Sequence, residues 1–117
     1  MTNLGLLLTT VSADTPVDNA ASGDSIATLL VAERLAACVN IGAPMTSVYR
    51  WQGTLTRDAE RQLVIKTTAD RLAAVKARLQ QLHPYELPEI IVIPVVDGGA
   101  PYLDWVATAT AVEGPAE

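Results

Sequence analysis

A chain of 117 residues, half of them apolar and with a net charge of −5, has the size of one domain and enough apolar side chains for a single core. All eight Lys and Arg lie between Arg34 and Arg78, the flanks are purely acidic and Phe is absent, so the clustered positive face that nucleic-acid binding requires is missing. The opening "MTNLGLLLTTV" is too short an apolar run, and lacks the basic flank, for a secretory signal or a membrane span; with a single cysteine, Cys38, a cytoplasmic setting is expected.

"LGLLLTTV" suits a short strand buried on both faces, and the small, polar, turn-rich stretch from Thr10 to Asp24 follows it as a long loop. From Ser25, the residues Ile26, Leu29 and Leu30 keep helical spacing, which predicts a first helix capped by Asp24 or Ser25 and running to about Ala37. Residues 38–68 alternate over two extended segments with Gly53 between them, the pattern of a long hairpin. On its first arm Val48 and Arg50 face one side while Tyr49 and Trp51 face the other. The second arm, ending "QLVIKTT", is apolar enough to lie centrally in a sheet.

Leu72, Val75, Leu79 and Leu82 form the apolar stripe of a second helix. "EIIVIPVV" reads as a buried type of strand, with Pro94 confining it to an edge or ending its pairing. A short third helix is predicted from Pro101, with Tyr102, Trp105, Val106 and Ala109 on one face. The order is β-α-β-β-α-β with an extra C-terminal helix, an α+β, ferredoxin-like plan whose edge strands hold Pro44 and Pro94. Residues 1–112 are expected to form one domain and 113–117 a frayed tail. Two open edges and an aromatic hairpin invite pairing with other subunits, so an oligomer is expected.

The chemistry-bearing residues cluster in "HPYELPE", residues 83–89. One cysteine and one histidine cannot build a tight zinc or copper site alone. His83, with Glu86 or Glu89 adding oxygen ligands, is a candidate metal ligand at a subunit contact. The plainer reading has His83 end the second helix, its imidazolium meeting the negative end of the helix dipole, with Pro84 enforcing the stop. Cys38, at the junction of an apolar helix and a strand, reads as a small buried hydrophobe. No nucleophile elbow or phosphate loop is present, and "DGGAP" at Asp97 is a turn. An enzyme would rest on His83 with Glu86 or Glu89 as an acid/base pair. Binding has the stronger case. Tyr49 and Trp51 share a face, Glu60 lies near the start of the neighbouring strand, and Lys66 would be the charge partner for a small anionic or aromatic ligand.

The segments "ERLAACVN", "SVYRWQG", Glu60, "KT" at Lys66, "HPYELPEI" and "YLDWV" resemble, in order and spacing, the CutA family of divalent-cation tolerance proteins. The resemblance implies a ferredoxin-like homotrimer with hairpin strands pairing between subunits, a trimer similar to that of PII-type signalling proteins, and no established catalytic reaction. It implies an inter-subunit cleft lined by Trp51, Glu60, Lys66, His83, Tyr85 and Glu89. No cofactor is required; a weakly bound divalent metal such as copper and a small ligand are the implied partners. In two places this chain departs from the family pattern. The end of the first strand, "LLLTTVSAD", lacks the cysteine discussed in some members as a copper ligand, and the loop from Thr10 to Asp24 is longer than the family's link, as a mobile flap would be.

Overall fold

The N-terminal apolar run becomes strand β1, Leu4–Ser12, in the computed structural model, which describes residues 3–112. It is flanked on both sides. β4, Thr54–Thr68, pairs with all of it from Leu4↔Thr68 to Ser12↔Glu60. β5, Ile91–Val95, pairs only from Leu4↔Val95 to Leu8↔Ile91. Beyond β4 lie β2, Cys38–Ile41, and β3, Met45–Trp51, giving an antiparallel sheet in the order β2-β4-β1-β5 with β3 also on β4. The hairpin's second arm is therefore central, as its apolar run predicts. The expected frayed tail at 113–117 lies outside the described residues.

Two helices, α1 at Gly23–Ala32 and α2 at Leu72–Leu82, cover one face of the sheet. Between them and the sheet, Leu7, Ile26, Leu30, Ile65, Val75 and Leu79 are wholly buried, each contributing about 1.5–3 kcal/mol by leaving water. Leu72 and Leu82 flank that core, completing the predicted stripe of α2. A third helix, α3 at Ala100–Ala109, crosses one end of the opposite, open face and buries Val106 against Leu4 and Ala37. Its inward residues are Leu103, Val106 and Ala109. Tyr102 and Trp105, expected on the same stripe, are instead exposed and lie against each other with ring centroids 5.5 Å apart.

The first helix starts earlier and stops sooner than its pattern predicts. Ser22, not Asp24 or Ser25, is the N-cap, its hydroxyl accepting the Ser25 N–H at 3.1 Å and donating to the Val17 carbonyl at 2.8 Å. At the other end Arg34 turns left-handed, with φ of 61°, while Leu35 N–H returns to the Leu30 carbonyl and Arg34 N–H to Val31. That is a Schellman stop built without glycine, so helix ends at Ala32 rather than near Ala37. The strand preceding it also runs further than expected, to Ser12. The remaining link is braced by the Asn19 N–H to the Pro16 carbonyl, the Ser22 N–H to the Asn19 carbonyl and the Ala21 N–H to the Asn19 side chain.

The first arm of the hairpin is not one strand. β2 pairs as Ile41↔Leu63 and β3 resumes as Met45↔Glu60, so three residues on the arm face two on β4. This is a bulge at Gly42–Pro44, held by Gly42 N–H to the Gln62 carbonyl at 2.8 Å and Arg61 Nη1 to the Gly42 carbonyl at 3.1 Å. Pro44 thus sits in the bulge, where its missing N–H is harmless, and not within an edge strand as expected; Pro94 does lie in edge strand β5. At the hairpin tip Gln52 and Gly53 take φ of 48° and 79° between the paired Trp51 and Thr54, a two-residue turn that matches strand twist.

Beyond the Ser12↔Glu60 pair the hairpin has no third strand, and it projects from the rest of the fold. Two strands alone are marginal in water, yet this hairpin exposes Val48, Tyr49, Trp51 and Leu55. Strand β5 is equally uncovered, Ile91 being 50% and Ile93 42% exposed, in contrast to the buried strand its sequence suggests.

Two substitutions test these local devices in urea unfolding. A Cβ at Gly53 meets no atom within 4 Å, so Gly53→Ala is expected to cost only the left-handed backbone strain, roughly 1–2 kcal/mol. Arg71 donates to the Thr110 carbonyl at 3.0 Å and to the Arg34 carbonyl at 3.2 Å, tying the end of α3 to the end of α1. Arg71→Ala is expected to cost about 1.5–3 kcal/mol, with Arg71→Lys, which cannot fork to both carbonyls, recovering only part.

Candidate functional site

Side chains on directly paired residues share a sheet face, so the bulge decides what the hairpin presents. With the extra residue, Met45, Ser47, Tyr49 and Trp51 stand on the open face together with Asp58 and Glu60 of β4. Without it, Pro44, Thr46, Val48 and Arg50 would stand there instead. The Tyr49 hydroxyl donates to the Asp58 carboxylate, and this bond pushes the phenol pKa up.

The opposite wall comes from the segment after α2. The His83 N–H closes the helix on the Leu79 carbonyl at 2.7 Å, and the chain then passes the edge of β1 from the helix side to the open face. Two turns of proline stiffening, Pro84 and Pro88, bracket Tyr85, whose hydroxyl donates to Glu60 Oε2 at 2.8 Å. Glu60 is buried, 7% exposed. Burial first, then the bond to the Glu60 carboxylate, drives the Tyr85 phenol far above its ordinary pKa, so it remains a donor throughout the working range.

Hairpin and segment enclose an open cleft of about 1060 Å³ lined by Tyr49, Trp51, Glu60, Tyr85 and Glu89, among others. Five of the six proposed ligand-binding residues thus meet. The sixth does not: Lys66 lies six residues along β4 from Glu60, about 20 Å at a strand's rise, with its ammonium 5.9 Å from the Tyr102 ring centroid. In the single chain it cannot act as the charge partner. The charged residues lining the cleft are mainly acidic, Asp14, Asp58, Glu60, Glu86 and Glu89; the cation among them, Arg50, borders it from β3 with its side chain on the opposite face of the hairpin. That wall disfavours the simple anionic ligand expected from Lys66 and favours one carrying positive charge. Asp58 and Asp14 were not singled out by sequence; the spacing of Asp58 two residues from Glu60 on one strand was the signal available for the first.

His83 departs furthest from expectation. The residue is buried, 7% exposed. Nε2 meets the Thr10 carbonyl at 2.7 Å, and Nδ1 accepts the Tyr85 N–H at 3.1 Å. A carbonyl only accepts, so Nε2 carries the proton and the ring is neutral. Burial lowers the His83 pKa, opposed by the Thr10 carbonyl and the Glu60 charge. The imidazolium at the helix end is therefore not what forms. Neither Glu86 nor Glu89 bonds the ring, so the acid/base pair is not assembled, and the neutral ring has no lone pair to offer a metal unless it gives up Tyr85. Among the described residues no three or more His, Cys, Asp or Glu side chains are grouped to hold a metal ion. Cys38, half-buried at the start of β2, is a free thiol.

Comparison with known proteins places the chain among relatives of one family. The family model for CutA1 divalent ion tolerance protein matches residues 11–109. A divalent-cation tolerance protein CutA from Thermus thermophilus is 49% identical over 86 residues, covering 74% of this chain and 84% of that protein. The CutA homolog of Xenopus laevis is 44% identical over 81 residues, 69% of this chain, which spans only 54% of that longer protein. Among solved structures, the PII-like protein CutA from Nostoc, in apo form, superposes with a TM-score of 0.81 at 35% identity, covering 92% of this chain and 98% of that one.

The two phenol–carboxylate bonds predict unequal effects. Tyr85→Phe leaves the buried Glu60 carboxylate without its donor and is expected to cost about 1–3 kcal/mol in urea unfolding. Tyr49→Phe, at an exposed carboxylate, is expected to move the midpoint by clearly less. Equal shifts would contradict the burial of Glu60.

Proposed function

The chain belongs to the CutA1 divalent ion tolerance family, and on that premise we propose that it works as a homotrimer of ferredoxin-like protomers binding a small ligand or divalent cation at the subunit cleft. Metal tolerance or PII-like signalling is then the role, without catalysis. The observation that carries this reading is the cleft itself, where an aromatic hairpin and an acidic, proline-stiffened segment face each other with room between them.

Assembly is supported by what one protomer leaves uncovered. The projecting hairpin, the free edge of β5 and the aromatic pair on α3 expose apolar surface that a monomer has no reason to carry. A head-to-tail contact between unlike edges that rotates by a third of a turn closes into a three-membered ring. Lys66 then becomes intelligible: it reaches the acidic cleft only as the contribution of a neighbouring protomer, bringing Tyr102 with it. The acidic mouth concentrates cations from solution. Because its carboxylates are spread over the walls, cation binding is expected to be weak within one chain. A cytoplasmic location belongs to this reading and is supported by the single free thiol.

Multi-angle light scattering at micromolar concentration is expected to return three times the 12.4 kDa of the chain; a monomer would sink both the trimer and the composite cleft. Trp51→Ala is expected to raise the dissociation constant of the assembly at least tenfold, on the order of 1.4 kcal/mol or more, while Lys76→Ala on the exposed side of α2 leaves it unchanged. Thermal shifts with copper, zinc and nucleotides then identify the ligand class.

A further inference from the structure

One side chain holds a whole wall of the cleft. β1 is flanked by β5 only as far as Leu8, so the Thr10 carbonyl lies past the end of that strand. His83 Nε2–H fills this gap at 2.7 Å, in place of a ladder partner. On its other side the same ring accepts the Tyr85 N–H at 3.1 Å and lies against the Tyr85 ring, centroids 4.6 Å apart. Tyr85 in turn reaches Glu60 across the sheet edge. The chain from β1 through His83 and Tyr85 to β4 thus straps the cleft-lining segment to two strands, and its central link, the Tyr85 N–H to Nδ1, requires the neutral ring.

We propose that His83 is a positioning residue whose neutral imidazole locks the segment 83–89 against the sheet and whose protonation releases it, so that acidification loosens one wall of the cleft. This rests on the reading of the cleft as the binding site, whose regulation it describes. A second proton on the ring can go only to Nδ1, where it faces the Tyr85 N–H donor-to-donor. The hydrogen bond becomes a repulsion, and the strap opens at that link.

The groups around the ring set the direction. From β4 the Glu60 carboxylate favours the charged ring, and from β1 the Thr10 carbonyl does the same; Tyr85 is the titratable neighbour on the segment itself. Burial outweighs them and holds the pKa below its ordinary value. A base with a depressed pKa in the closed form contributes its full stabilisation above the ordinary imidazole value, about 6.5. That contribution is lost as pH falls below this value toward the depressed one.

Because the chain has one histidine, its ring can be followed without ambiguity by NMR of the full-length protein, with no ligand added. The expected result is an Nε2–H tautomer at pH 7.5 and a Tyr85 amide whose hydrogen-exchange protection factor falls several-fold by pH 5.5 and further at lower pH as the ring titrates. His83→Gln offers a donor and an acceptor that cannot titrate, and is expected to keep the protection at both pH values. His83→Ala is expected to lose it at both. Protection in the parent protein that stays flat through the ring titration would overturn the proposal. So would His83→Gln losing protection with the parent's midpoint, which would put the response on Glu60. Since no ligand enters the experiment, its failure is distinct from failure of the binding reading, which the light scattering and thermal-shift measurements address.

Discussion

Between Ile41 and Met45 the first arm of the hairpin carries one residue more than β4 carries between Leu63 and Glu60, and the chemistry of the open face follows from that single offset. Side chains alternate along a strand, so one extra residue exchanges the two faces of everything beyond it. Tyr49 and Trp51 stand above Asp58 and Glu60 because of it, and Val48 and Arg50 are sent to the other side. Gly42 is small enough to lie against the Gln62 carbonyl, where a Cβ would come within 3.2 Å. Pro44 has no N–H to leave unpaired there. The bulge is thus written into two residues whose local properties suit it, and its consequence appears seven residues later.

The second wall answers the first through polar groups that are all satisfied. The strap from Thr10 through His83 and Tyr85 to Glu60 crosses from the helix side of the sheet to the open side, using one carbonyl, one neutral ring, one amide and one carboxylate. Such a network is rigid when every member is paired and costly when one is removed. The cleft is therefore preformed on this side, while on the other it depends on a two-stranded hairpin that has no third strand to support it. In the proposed assembly, a contact that steadied the hairpin would also bring a neighbouring protomer's Lys66 within reach of the cleft.

Much of this was legible in sequence where a local pattern decides the outcome. Gly53 marks the turn, the leucines of α2 mark its buried face, and the apolar second arm marks the central strand. What was not legible depends on a non-local partner. The stop of α1 is made by Arg34 in a left-handed conformation that normally announces itself with glycine. The third helix has aromatic residues wide enough to widen its apparent stripe, yet the narrow end of the sheet admits only Leu103, Val106 and Ala109. His83 was read along its own helix because sequence cannot show that the edge of β1 ends beside it. The separation of Glu60 from Lys66 was there to be read from their spacing of six residues on one strand, against the expectation that both line one wall.

The open-face cleft is the proposed place where the protein meets a small ligand or cation. Amide chemical-shift mapping of the assembled protein, titrated separately with zinc and with a linear aliphatic triamine, tests this most directly. Saturable shifts confined to Tyr49, Trp51, Glu60, Tyr85 and Glu89, with Lys66 joining them only in the assembled form, are the predicted result. Shifts confined to the helix-covered face, or none with either probe at millimolar concentration, would contradict it.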